Sequence, residues 1–413
     1  MAMNPYLAII LAAILAGFAL ENLSRLLNAR ALSPELPPEF RDVYDPQEYR
    51  RSQAYTRANQ KLAALSDWLE TPLLLAAILL GWFNALDQWL RGLGLPETVT
   101  GLLFVGAIVL ANALVSLPFR VYDTFVIEER FGFNRTTPAL FVKDLLKGLA
   151  LSVAIGAPLL AALLWFFQAL GGWAWLAAWA LTSAVMLALA VVGPTLILPL
   201  FNKFTPMEPG PLRERIEGYA QGQGFDLAGI FVMDGSKRSS KSNAFFTGLG
   251  QRKRIALFDT LVERHGEDEI VAVLAHEVGH SQLGHIRRGL VASILRNGLL
   301  FALMQAFITS PGLFAAFGME RMSVYAGLVF FLILYAPVSL LLSIASGALS
   351  RHHEREADGF AARTTGMPGA LARALKKLSA DNLSNLTPHP LHVFLHYSHP
   401  PVLERVRRLH GMK

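Results

Sequence analysis

Residues 267–280 read Glu267-Asp268-Glu269-Ile270-Val271-Ala272-Val273-Leu274-Ala275-His276-Glu277-Val278-Gly279-His280. Three acidic residues open the stretch and an apolar run follows, the pattern of a buried helix whose N-terminal end is favoured by negative charge. Residues four apart share a helix face, so His276 and His280 aim two imidazoles at one tetrahedral metal ion, and Glu277 reaches a water beside it. One pentapeptide supplies two ligands and a base. Such a helix needs a packed domain around it, so the rest of the chain must provide one.

Most of that chain is membrane. Hydrophobic residues make up 53% and charged residues 16%, and the mean hydropathy is +0.40, outside the balance of soluble domains. Seven stretches are long and apolar enough to cross a bilayer: 5–24, 69–90, 100–119, 146–168, 172–200, 289–309 and 324–349. The first lacks a basic leading segment and a small-residue cleavage site, so it reads as an anchor rather than a signal peptide. Arg25, Arg30, Arg41, Arg50, Arg51, Arg57 and Lys61 precede the second span; Arg120, Arg130, Arg135, Lys143 and Lys147 lie between the third and fourth. The alternate loops carry only Arg91 and Arg321, which places the basic segments, and with them the C-terminus, in the cytoplasm. In a prokaryotic cell the membrane is the inner one. The net charge of +6 follows from this orientation and from contact with membrane lipid, and calls for no nucleic acid. With no cysteine in the chain, any metal must be held by histidine and carboxylate.

The expected fold is therefore mainly α and polytopic, with a split α+β metal domain on the cytoplasmic side. Residues 1–200 hold spans one to five, 201–288 the first part of the metal domain, 289–349 spans six and seven, and 350–413 its second part. Within 201–288, residues 206–211 read as a linker and 212–223 as an amphipathic helix. Ile230–Met233 reads as a strand. Asn243–Thr247, Gly248–Gly250 and Arg254–Phe258 read as strand, turn and strand.

A catalytic zinc takes three protein ligands and leaves a position for water. Glu354 is the best third ligand, because Asp358 one turn later places a second carboxylate on the same face, able to accept the free N–H of a ligand histidine. His352, His353 and, through the spacing His280-x-x-x-x-His285, His285 are rivals. Arg296 falls about 10 Å into span six at 1.5 Å per residue. A cation there would cost several kcal/mol against lipid, so it should face a wet interior, with Asn297 and Gln305 as companions, the alternative being a buried carboxylate in a dry bundle.

Taken together, His276–His280, Glu354-x-x-x-Asp358 and Ser398-His399-Pro400-Pro401 followed by Arg405 resemble the integral-membrane zinc endopeptidases of the type I CAAX prenyl protease family. Phe131-Gly132-Phe133-Asn134, Phe201–Pro206, Lys241–Phe246, Lys253–Leu261 and Tyr49–Tyr55 extend the resemblance over nearly the whole chain. It implies seven helices enclosing a water-filled chamber closed by the zinc domain. It also implies zinc on His276, His280 and Glu354, Glu277 as base and proton shuttle, and Asp358 orienting a ligand, most simply His276. His399 and Arg405 match family residues that steady the oxyanion or the substrate backbone. Asn243, Ala244 and Phe245 match the strand to which the peptide adds. Lys241 departs from the histidine the family often has there, which bears on contacts near the substrate.

The function expected is cleavage near the C-terminus of a peptide or lipidated peptide of CAAX type; the sequence sets no oligomeric state. A membrane quality-control metalloprotease is the second reading. A transporter or binding scaffold with a structural metal is the third, and it has no use for Glu277 beside the ligands.

Overall fold

The computed structural model describes residues 4–225, 227–247 and 253–412. Its first half is helical: α1 (Pro5–Arg30), α2 (Pro46–Leu79), α3 (Trp82–Arg91), α4 (Glu97–Tyr122), α5 (Pro138–Ala169) and α6 (Ala174–Val192). Three of them start alike. Asn4, Asp45 and Thr137 each accept backbone N–H groups of the first turn and each is followed by proline, pairing a side-chain cap with a residue whose missing N–H costs nothing there. A π-helical turn, Asp123–Glu128, extends α4.

The second half holds α7 (Pro211–Gly222), α8 (Asp259–Arg264), α9 (Glu267–Gln282), α10 (His285–Phe307), α11 (Pro311–Ala316), α12 (Val324–Thr365), α13 (Pro368–Asp381), α14 (Pro390–His396) and α15 (Val402–His410). Strands β1 (Phe204–Pro206), β2 (Leu227–Met233), β3 (Ala244–Thr247) and β4 (Lys253–Phe258) form one sheet in the order β1-β2-β4-β3. The central pair is parallel and both outer pairs are antiparallel. Ile230, Ile255 and Leu257 from the sheet, Ile216 from α7, and Ile270, Leu274 and Val278 from α9 share one core, so α9 is packed directly against the sheet. The expected turn at Gly248–Gly250 lies outside the described residues.

Among the described residues, seven helical segments are long and apolar enough to span a membrane, in agreement with the count from sequence: Pro5–Arg30, Pro46–Leu79, Glu97–Glu128, Pro138–Ala169, Gly171–Leu200, His285–Phe307 and Val324–Thr365. Two readings change. The stretch 69–90 is not one helix, because Gly81 takes a left-handed conformation (φ 73°) that ends α2 and starts α3. Continuing straight would leave the Asp87 carboxylate in lipid; the break turns Phe83, Asp87 and Leu90 inward. In addition, the domain boundaries expected at 288/289 and 349/350 fall inside α10 and α12. The 42 residues of α12 span about 60 Å at 1.5 Å per residue, twice the ~30 Å of a bilayer core. Composition changes at the membrane surface, but the helical hydrogen bonding does not stop.

The membrane core gathers around Phe104, Phe314, Phe317, Tyr325 and Phe330. At its rim, Asp87 is buried at 1% exposure. It accepts a hydrogen bond from Tyr325 on α12 and pairs with Arg91 Nε at 2.9 Å, while Arg91 also reaches Glu97 on α4 at 3.0 Å. Asp87 thus ties α3, α4 and α12 together. Asp87→Ala should cost about 3 kcal/mol by leaving the buried Tyr325 hydroxyl without its partner and Arg91 with Glu97 alone, whereas Tyr325→Phe should cost about 1 kcal/mol. Thermal inactivation in detergent reads both; equal midpoints for Asp87→Ala and wild type would refute the latch.

Candidate metal centre

His276 and His280 lie on one face of α9, which fits its acidic first turn against the backbone: Glu269 accepts from Gly266 N–H at 3.0 Å and holds Lys377 of α13 at 2.8 Å. Glu354 and Asp358 lie one turn apart on α12. The two helices approach at Gly279, where a Cβ would stand 3.1 Å from Phe360 and 3.3 Å from the Cα of Ala357. That approach brings together groups 74 residues apart in sequence.

The His276 and His280 Nε2 atoms are 3.2 Å apart. Glu354 Oε2 is 3.3 Å from the first and Oε1 is 3.1 Å from the second. Bonds of about 2.0–2.1 Å in a tetrahedron put ligand atoms about 3.3 Å from one another, so the three side chains already have the spacing a zinc ion needs. Glu354 Oε2 is buried and accepts no hydrogen bond, another mark of a place meant for a cation.

Behind these three side chains, Asp358 Oδ1 is 2.9 Å from His276 Nδ1. Arg405 of α15 donates to both Asp358 oxygens, at 2.9 and 2.6 Å, and its Nη1 stands 3.3 Å from Glu354 Oε2. Burial disfavours charge on His276, but the carboxylates of Asp358 and Glu354 beside it outweigh this and its pKa is pushed up to about 9. The site is built to hold positive charge. Burial also raises the Glu277 carboxyl above its ordinary value, the direction that suits a base working near neutrality.

The remaining candidates fall on two sides of this cluster. Glu277, His280 and Phe245 line a cavity of about 860 Å³ that runs along α10 and α12 past Arg296. Asn297 instead donates to Thr182 of α6 at 2.7 Å, and Gln305 Oε1 is buried without a partner; neither is among the residues lining this cavity with Arg296. On the other side, His399 and Arg405 line a second cleft of about 520 Å³. His399 is exposed, with Nε2 3.3 Å from Glu354 Oε1 and Nδ1 2.8 Å from Ser398 Oγ. Arg405 is buried, its guanidinium occupied by carboxylates. Among the described residues β3 pairs only with β4, so Ala244 and Phe245 sit on an edge strand. Asn243, exposed beside it, accepts from Phe258 N–H at 3.1 Å.

Lys241 is drawn away from this edge, to Tyr55 at 2.8 Å and Glu128 at 2.9 Å. Two supporting residues escaped the sequence reading. Asn382 exchanges hydrogen bonds with the backbone of Ser242 at 3.1 and 3.2 Å and so fixes the approach to β3; its position at the end of a helix 140 residues on gives no signal in the sequence. Glu356 binds His285 at 3.0 Å and reads in sequence as one more surface charge.

A family model described as "CAAX prenyl protease N-terminal, five membrane helices" matches residues 25–203, and one described as "Peptidase family M48" matches residues 206–413. The chain is 37% identical over 414 residues to CAAX prenyl protease 1 homolog of Oryza sativa subsp. japonica, covering 98% of this chain and 97% of the relative. It is 35% identical over 435 residues to CAAX prenyl protease 1 of Saccharomyces cerevisiae, covering 98% and 95%. The crystal structure of S. mikatae Ste24p superposes with a TM-score of 0.93 at 35% identity, over 98% of this chain and 99% of that one.

A histidine with a pKa of about 9 is protonated at neutral pH without metal, so a metal must displace a proton to bind. Apparent zinc affinity should therefore rise about tenfold per pH unit from pH 6.5 to 8.5 and level off near 9. Asp358→Asn should move the levelling point down toward about 6.5, the unperturbed histidine value. Chelator competition measures both. An affinity independent of pH in the wild type would overturn this account of His276.

Proposed function

Since the chain belongs to peptidase family M48, in its CAAX prenyl protease branch, we propose that this membrane metalloendopeptidase cleaves a peptide bond near the C-terminus of CAAX-type substrates, with a lipid-modified segment held in the cavity. The observation that carries the reading is the convergence of His276, His280 and Glu354 beside Glu277, at the end of a largely apolar cavity that runs back among the membrane helices.

Zinc held by His276, His280 and Glu354 would polarise the scissile carbonyl and acidify the attacking water. Glu277 takes the proton as the water oxygen adds to the carbonyl carbon, and returns it to the amine as the C–N bond breaks. Asp358 keeps His276 in one tautomer and Arg405 holds Asp358 and Glu354 in place. From its buried position Arg405 steadies the ligands, whereas His399, exposed beside Glu354, is the residue placed to meet the oxyanion or substrate backbone. The free edge of β3 at Asn243–Phe245 offers backbone groups to an extended peptide. Phe245 and Leu299 give the cavity apolar walls, and Arg296 gives it a cationic stretch. The arginine and lysine distribution supports an active site facing the cytoplasm.

Purified protein incubated with prenylated and unprenylated CAAX peptides tests this. Glu277→Ala should lose roughly 10²–10⁴-fold in kcat/KM, and a zinc chelator should stop cleavage until zinc is restored. Chelator-insensitive cleavage, or full activity in Glu277→Ala, would sink the mechanism. Equal cutting of both peptides would remove the lipid from the substrate definition.

A further inference from the structure

Three of the rivals for the third ligand position come together with Glu356 next to the catalytic cluster. His285, His353 and Glu356 place one potential donor atom each within 4.8 Å of one another. His285 opens α10; His353 and Glu356 lie three apart on α12. Both histidines are buried, at 4% and 7% exposure, and their rings stack at 4.0 Å. His353 Nε2 is buried and has no hydrogen-bond partner, an unpaid desolvation unless something binds it. His352 Nε2 stands exposed, 3.6 Å from the other oxygen of Glu356. Like Glu277 and His280, His285 and His353 line the cavity of about 860 Å³, so an ion has a route in.

The protons of this group are set by its neighbour, given the reading above that His280 binds zinc. With zinc on Nε2, His280 carries its proton on Nδ1, which faces His285 Nδ1 at 3.1 Å. His285 therefore accepts there and carries its own proton on Nε2, 3.0 Å from Glu356 Oε2. A metal ion entering between His285 Nε2 and Glu356 stands where that proton was. His285 then either gives up the proton altogether or moves it to Nδ1, where two N–H groups would oppose each other at 3.1 Å. The shift to Nδ1 is the response that loosens the support of His280, because it sets one N–H donor against another; full deprotonation would leave His285 Nδ1 still accepting.

We propose that His285, His353 and Glu356 form a second, weaker site for a divalent transition metal such as zinc, antagonistic to the catalytic one, through which excess metal inhibits the enzyme. Imidazole and carboxylate donors suit zinc. The ion would also stand on the wall of the cavity that Glu277 lines.

The test is zinc titration of the full-length protein carrying one zinc, with bound metal and peptide cleavage followed together, in wild type, Glu356→Gln and His353→Phe. The glutamine still accepts from His285 Nε2–H but lacks the anionic donor; the phenylalanine keeps the stacked ring without nitrogen. Wild type should bind a second zinc and lose activity as it does so. Both variants should keep the first zinc, which also reports their folding, and need at least about tenfold more zinc for inhibition. A wild type that holds one zinc in large excess of metal, or variants inhibited at the wild-type concentration, would overturn the proposal. So would variants altered only in the first zinc, which would make the group a positioning device for His280. A wild type lacking the tight zinc but binding the weak one, lost in both variants, would support this site while overturning the reading of the primary centre.

Discussion

The close approach of α9 and α12 is the constraint on which the rest depends. At the seam, Gly279 faces Ala357 and Phe360 with no room for a larger residue to enter freely, and Ala272, Ala275, Ala361 and Ala362 pack nearby. Small residues let two helices come together until side chains from each meet in one plane of chemistry. Only at this separation do the imidazoles of α9 and the carboxylates of α12 stand at ligand distance. Because α12 continues from the membrane without a break, the same contact fixes the soluble domain against the bilayer.

Charge explains why this packing tolerates so many ionisable groups. Glu354 and Asp358 are buried at 4% and 1% exposure against a single buried guanidinium, Arg405, with Glu277 half-buried beside them. Unpaired, such carboxylates would cost several kcal/mol each. The arginine neutralises part of the excess; the proton held by His276, or a divalent metal in its stead, neutralises more. Stability and function are thus coupled, since the cation the chemistry needs is also the one the buried charge requires.

Much of this was legible in the chain. The seven spans came from hydropathy alone, and three of their starts are marked by a cap residue and proline. His276, Glu277 and His280 came from spacing on one helix. Glu354 and Asp358 were readable as a pair, although their link to α9 needed a resemblance, because 74 intervening residues and two membrane spans hide it. What failed to show has common physical causes. Hydropathy could not separate α2 from α3, since Gly81 breaks the helix through its backbone and not through polarity. Asn297 and Arg296 are adjacent, yet a helix turns 100° per residue, so one binds α6 while the other lines the cavity. Asn382 and Glu356 act through partners far off in sequence and carry no local signature.

By itself the sequence determined the class of the protein: a membrane chain with no cysteine, a helix carrying His276, Glu277 and His280 at metal-ligand spacing, and a carboxylate pair on another helix. These are local properties, set by composition and by the 3.6-residue period. Tertiary structure alone decided which side of each helix faces which neighbour. It turned Arg405 inward onto Asp358 and Glu354, left His399 exposed, left β3 with a free edge, and laid His285 against His280. The reason is that helix periodicity fixes direction only about its own axis, whereas a site made from several helices depends on how closely their axes approach, and here that distance is set by one glycine and a row of alanines.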